Sequence, residues 1–194
     1  MSDDLRIVPA NEAPWEDLDA VYNFPGACHC QRFKVMEWVF RSTAEERAAA
    51  LRVSSGCGDP TATSTTGLLL YVGDEPAAFA AVEPRSSYPG LAKARVPWTG
   101  RDEDRSDPSV WAVTCLVVRR GFRKRGLTYV LAEACVEHAR AHGARALEAY
   151  PLDTDGREVV DNELYVGAHQ VFADLGFTDV TRPTKRRVVV RREL

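Results

Sequence analysis

The chain has 194 residues, 45% of them apolar and 27% charged, and its 25 basic and 28 acidic side chains leave a net charge of −3. A chain of this length is expected to form one domain that buries its core without disulfide or metal staples, and its composition excludes a disordered chain, a collagen-like repeat and a disulfide miniprotein. The negative balance argues against a protein that coats nucleic acid, so no nucleic-acid partner is expected.

Residues 5–9 form a short apolar run that reads as a first strand. Pro14 and the acids after it open a helix over 14–22, where a fixed φ and negative charge suit the first turn. Pro25, Gly26 and the Cys28-His29-Cys30-Gln31 cluster then break the pattern. Ser42 or Thr43 caps a helix over 44–53, with Glu45 and Glu46 in its first turn. Residues 54–66 are rich in Gly, Ser and Thr and read as loop. Two strands, 67–72 and 76–83, flank the turn dipeptide Gly73-Asp74 and form a hairpin. The long polar connection over 85–108 is unusual in a compact domain unless it has a function.

Residues 110–118 are nearly continuous apolar and β-branched, as a strand covered on both faces requires. Over 127–142 the apolar spacing becomes helical, with Leu127, Leu131, Ala134, Cys135 and His138 on one face, and Gly143 follows as the terminating glycine. Residues 146–150 form another strand, so the order from 110 to 150 is strand–helix–strand. Loop is expected over 153–161, a second amphipathic helix over 164–175, and strands over 177–180 and 188–192. The expected fold is therefore a single α/β domain over 1–194 with a mixed sheet.

No apolar run approaches the length of a membrane span, so no membrane partner is expected. The opening Met1-Ser2-Asp3-Asp4 does not resemble a signal peptide. Five cysteines, an odd number, fit free thiols in a reducing cytoplasm. Cys28, Cys30 and Cys57 can be drawn as a zinc site, but the usual spacing and a second pair are missing, so no metal is expected.

The chemistry concentrates in Arg119-Arg-Gly-Phe-Arg-Lys-Arg-Gly-Leu-Thr128. This stretch joins a buried strand to an amphipathic helix. Helix-opening N–H groups lack intrahelical partners and face an anion there, with the dipole and five cationic side chains beside them. Gly126 lets a phosphate approach the backbone. A nucleotide P-loop would need Lys-Ser/Thr where Leu127-Thr128 stands. The dinucleotide fingerprint Gly-x-Gly-x-x-Gly is also missing. A solvated basic turn is the plain alternative.

Residues Arg123-Lys-Arg-Gly-Leu-Thr128 resemble the Arg/Gln-x-x-Gly-x-Gly/Ala signature of the GNAT family of N-acetyltransferases. Leu116-Val-Val118 resembles the strand that this family pairs with the pantetheine arm. Ala168-x-x-x-Phe172-x-x-x-Gly176-Phe177 resembles its second-motif helix. The resemblance spans about 5–194, and its specific part, about 110–177, is the expected acyl-CoA-binding core. It implies a GNAT-like fold, α/β with a mixed, mostly antiparallel central sheet flanked by helices. It further implies an N-acetyltransferase that moves an acetyl group from acetyl-CoA, or another acyl-CoA, to a primary amine of a small molecule or peptide. The expected cofactor-binding residues are Leu116, Val117 and Val118 on the strand, with Arg123, Lys124, Arg125, Gly126, Leu127 and Thr128 in the phosphate turn. A second reading is a non-catalytic acyl-CoA-binding sensor. A homodimer is left open.

Family members commonly carry a Glu or His base on the central strand, where Ala112 and Thr114 stand here, and a tyrosine acid where Phe172 stands. The replacement candidates for catalysis are Glu148 and Tyr150, which share one face of their strand, and Tyr165, two helical turns before Phe172. Glu83, at the end of its strand, is a further candidate acting through water. His29, Cys30 and Arg85 are expected to line the acceptor side, with Arg85 placed to meet an acidic group.

Overall fold

The computed structural model describes residues 4–24, 27–34, 41–155, 159 and 161–194. Pro25, Gly26 and part of the loop expected over 153–161 lie outside the described residues. The apolar runs form seven strands: β1 (Leu5–Pro9), β2 (Gly67–Val72), β3 (Glu75–Pro84), β4 (Val110–Val118), β5 (Ala146–Ala149), β6 (Thr178–Thr181) and β7 (Val189–Glu193). They join in one sheet of order β1-β2-β3-β4-β5-β7-β6. Only β4 and β5 run parallel; every other pair is antiparallel. The helices are α1 (Trp15–Val21), α2 (Ala44–Ser55), α3 (Pro89–Lys93), α4 (Leu127–Ala141) and α5 (His169–Asp174).

The two faces of the sheet bury separate cores. Leu70, Ala80, Val113 and Leu147 pack with Leu131 and Cys135 of α4 and Phe172 of α5. Leu69, Phe79, Ala81 and Cys115 pack with Leu18 and Val21 of α1 and Leu51 of α2. Each fully buried Leu or Phe contributes roughly 1.5–3 kcal/mol relative to an exposed one. Helix ends follow their local chemistry. Thr43 and Glu46 close a reciprocal capping box on α2. Gly143, at φ 75°, ends α4, with the Ala144 N–H reaching the Ala139 carbonyl.

Two expectations need correction. The helix expected over 164–175 is divided: a 3-10 turn covers Asp161–Val166 and α5 begins only at His169. Gly167 between them sits at φ +79°, which helical backbone does not adopt, and a Cβ there would lie 2.8 Å from the Phe172 ring, so glycine suits the break. The connection over 85–108 is not plain loop. It contains a 3-10 turn at Arg85–Ser87, then α3, then a second 3-10 turn at Val96–Trp98.

His138 lies on the buried side of α4 against Trp111, 5.7 Å between ring centroids, and against His142. Burial, with His142 adding to it, pushes the His138 imidazolium down to about 4. Unfolding restores a value near 6.5. Between those values the unfolded chain takes up the proton and the folded chain does not, so stability is full above pH ~6.5 and falls as pH drops towards ~4. Burial acts on His29 with the same sign. Thermal melts between pH 7 and 4.5 should show this loss, and His138→Gln should flatten the slope; an unchanged slope in that variant would remove His138 as its cause.

Candidate active site

β4 organises the site. Its pairing with β3 runs from Trp111 to Val118, but its pairing with β5 stops at Val113 opposite Ala149. The β5-facing edge from Thr114 to Val118 therefore has no strand partner among the described residues. Thr114 is an extra residue: Ala81 pairs with Cys115 and Val82 with Val113, leaving Thr114 unmatched on β3. Such a bulge bends the strand and shifts its side-chain alternation. Val113 and Leu116 consequently face the α4 core while Cys115 faces the α1 core.

A cleft of about 630 Å³ opens along that free edge. Its walls include Leu116, Val117 and Val118 of β4 and Arg123, Lys124, Gly126, Leu127 and Thr128 of the following turn. Tyr22, Cys28, Arg32, Leu164 and Tyr165 form the far wall. Arg125 is the one residue of the expected cofactor set not on the wall; its guanidinium lies 5.4 Å from the Phe122 ring centroid.

The start of α4 leaves its backbone N–H groups without a side-chain cap. Gly126 is its N-cap at φ 76°, no side chain caps it, and no acid stands in its first turn. Beyond its chain neighbours, no described residue lies within 4 Å of a Cβ built at Gly126, so the space in front of it is open. Lys124 also takes a left-handed backbone, φ 61°. Together the αL residues and the helix start aim backbone N–H groups outward. The Arg123 side chain folds back to donate from Nε to the Val118 carbonyl at 3.1 Å.

The acceptor-side candidates are more buried than their sequence positions suggested. His29 and Cys30 adopt positive φ, 46° and 56°. The His29 ring stacks on Tyr22 at 4.8 Å between centroids. The Cys30 thiol lies 2.9 Å from the Tyr22 hydroxyl. Burial raises Cys28 to about 11, so this cleft-wall thiol is not a thiolate at neutral pH. Among the described residues, no group of three or more His, Cys, Asp or Glu is placed to hold a metal.

Glu148 and Tyr150 share a face, and the Tyr150 hydroxyl donates to Glu148 Oε2 at 3.1 Å. Glu148 is 0% exposed, not the solvated edge residue that its position in a short strand suggests, and it does not line the cleft. Arg85 donates to its Oε1 at 3.1 Å, Arg101 binds both of its oxygens, and Arg191 stands 3.7 Å away. Arg85, expected to face an acidic ligand, is 1% exposed and occupied by this carboxylate and by Glu103. Glu83 is bound to Lys34 at 2.6 Å and to the Thr66 hydroxyl. Tyr165 does reach the cleft, but Gly167 separates it from α5. It packs with the Cys115 side of the sheet, whereas Phe172 is buried on the other side. Burial raises the Tyr165 hydroxyl above its ordinary value.

The Acetyltransferase (GNAT) family model matches residues 32–177. The chain belongs to the GNAT acetyltransferase family. Solved GNAT structures share its fold. An acetyltransferase of the GNAT family from Streptococcus pneumoniae superposes with a TM-score of 0.55 at 14% identity, over 98% of this chain and 100% of that one. The ribosomal-protein-S18-alanine N-acetyltransferase of Escherichia coli gives 0.53 at 13% identity, over 97% and 93%. The PaiA N-acetyltransferase of Thermoplasma acidophilum, solved in complex with coenzyme A, gives 0.55 at 9% identity, over 98% and 99%. No curated protein matches the sequence. As a GNAT protein, this chain is an acyl-CoA-dependent N-acetyltransferase, with the family's mostly antiparallel sheet. Among the described residues, no helix is long and apolar enough to cross a membrane.

Arg32, Leu164 and Tyr22 were not singled out by sequence reasoning, because each sits in a segment with no motif of its own. Their common signal is spatial: all three border the free edge of β4.

Proposed function

We propose that the protein transfers an acetyl group from acetyl-CoA to the primary amine of a small molecule or peptide. The carrying observation is the uncapped N-terminus of α4 opening on the cleft beside the unpaired edge of β4. Backbone N–H groups from Arg123 to Thr128 would receive the pyrophosphate. Leu116, Val117 and Val118 would pair with the pantetheine arm as an added strand. The site fits this ligand because the space before Gly126 is open and the first turn of α4 carries no competing acid.

In the reaction, the amine lone pair forms the N–C bond, the C–S bond breaks, and the proton lost from nitrogen ends on the CoA sulfur. A β4 N–H would stabilise the thioester oxygen as it gains charge. Alignment of amine and thioester supplies much of the remaining acceleration. Tyr165 is the proton donor proposed for the sulfur, since it borders the cleft and burial keeps its hydroxyl protonated. The five free cysteines agree with a cytoplasmic enzyme.

Calorimetry with acetyl-CoA and with CoA, followed by a thiol-release assay over a panel of primary amines, tests the proposal. Both ligands should bind saturably and thiol release should depend on an amine. Absence of binding at ~1 mM, a threshold that corresponds to about −4 kcal/mol, would overturn it. So would binding with no amine-dependent release.

A further inference from the structure

The cleft does not end at Tyr165. A second pocket of about 240 Å³ shares Arg32 and Tyr165 with it and continues past Tyr150 to Arg187. Arg32, Arg95 and Arg187 line it, and among the described residues no Asp or Glu does. Several arginines elsewhere are coupled to acids, as Arg145 is with Asp107, Arg182 with Asp153, and Arg186, next to Arg187, with Glu163 at 2.6 Å. Among the described residues, Arg32, Arg95 and Arg187 have no ion pair. Arg32 and Arg187 stand 5.0 and 5.9 Å from the Tyr165 ring centroid, which orients them without neutralising them. Arg187 reaches the Tyr150 carbonyl only at 3.5 Å, the outer limit of a hydrogen bond.

Three like charges around a concave surface repel one another and draw in an anion. A planar guanidinium with five donors matches a carboxylate better than any other side chain does. At ~30 Å³ per water, the pocket holds roughly eight waters, the scale of an amino acid rather than a polymer. We propose that this pocket anchors the acceptor and that the acceptor is a primary amine bearing a carboxylate. Arg187, Arg32 and Arg95 bind the carboxylate, and the amine extends past Tyr165 into the cleft. This assignment rests on the acetyl-transfer reading above and narrows it to an anionic acceptor. Free amino acids and the acidic end of a peptide share that chemistry.

The test uses matched amines: glutamate and aspartate, their amides in which every carboxylate is neutralised, and an acidic hexapeptide with an amidated C-terminus. Acetylation kinetics and calorimetry on the CoA-loaded protein read the outcome. A free amino acid should be favoured over its amide roughly 10- to 100-fold, the value of one hydrogen bond to a charged group. The hexapeptide should take the preference instead if the carboxylate belongs to a peptide. Arg187→Gln and Arg95→Gln should each raise KM for the acid by a similar factor with acetyl-CoA affinity intact, and Arg187→Lys should recover part of the loss. Equal use of acid and amide, or no heat of binding from any carboxylate probe, overturns the proposal. So does a fall in acetyl-CoA affinity in Arg187→Gln, which would assign the guanidinium to the coenzyme. Loss of acetyl-CoA binding by the wild-type protein would instead sink the parent reading. Glutamate calorimetry on the unloaded protein then still decides the anion pocket by itself.

Discussion

Gly126→Asp should abolish acetyl-CoA binding while leaving the protein folded. Gly126 adopts φ 76° at the N-cap of α4, and beyond its chain neighbours no described residue stands within 4 Å of where its Cβ would be. Asp tolerates αL backbone better than most residues and is a good N-cap, so the helix survives. Its carboxylate, however, would stand at the proposed pyrophosphate position. Two unit charges of like sign at ~4 Å repel by about 4 kcal/mol at an effective dielectric of ~20, roughly a thousandfold in affinity. Gly126→Ala separates the two components, since it adds the Cβ and the φ strain without the charge and should weaken binding less. Arg123→Ala should also weaken it less, because the donors at this turn are mostly backbone. Calorimetry on the three variants, with circular dichroism to check folding, reads the order. A folded Gly126→Asp protein with wild-type affinity would refute the phosphate site.

Local chemistry explains what was legible in the sequence. β4 and α4 announce themselves because one is a nearly unbroken apolar run of nine residues and the other keeps helical apolar spacing over fifteen. The turn proposed to take the pyrophosphate stands out locally too: Gly126 and its basic neighbours fall where a buried strand gives way to a helix. The bulge at Thr114 left no such mark, because an extra residue in an apolar strand looks like any other. It nevertheless decides which side chains of β4 face each core. Residues 164–175 carry helical spacing, and only the fold shows that Gly167 breaks it with a left-handed backbone at a place where a Cβ would strike the Phe172 ring. Arg85, Arg101 and Glu148 are scattered too far apart for any local pattern, Arg85 standing 63 positions and Arg101 47 positions before Glu148. The same holds for the pocket arginines, which come from three separate connections. Charged residues in loops read as surface until the fold shows what encloses them.

Glu148→Gln should cost the protein stability before it costs chemistry. The carboxylate is fully buried and bound by Arg85, itself 1% exposed, and by Arg101. Removing its charge leaves Arg85 and Arg101 with the partly exposed Glu103 as their remaining carboxylate among the described residues, so the loss should approach the about 3–5 kcal/mol of a broken buried pair. In a domain of this size each kcal/mol lowers Tm by roughly 2–4 °C, so the melting point should fall by about 10 °C. Arg85→Met fills similar volume without a charge to compensate. It still leaves Glu148 with Arg101 and Arg191, so it should cost less than the glutamine variant. Both effects are read by thermal melts, with acetyl-CoA affinity measured below the transition. Glu148 lies outside the cleft wall, so the folded fraction of Glu148→Gln should keep its coenzyme affinity and much of its turnover. A variant that melts like the wild type yet has lost turnover would reverse the assignment. Glu148 would then be the proton acceptor missing from Ala112 and Thr114, working through Tyr150, whose hydroxyl it binds.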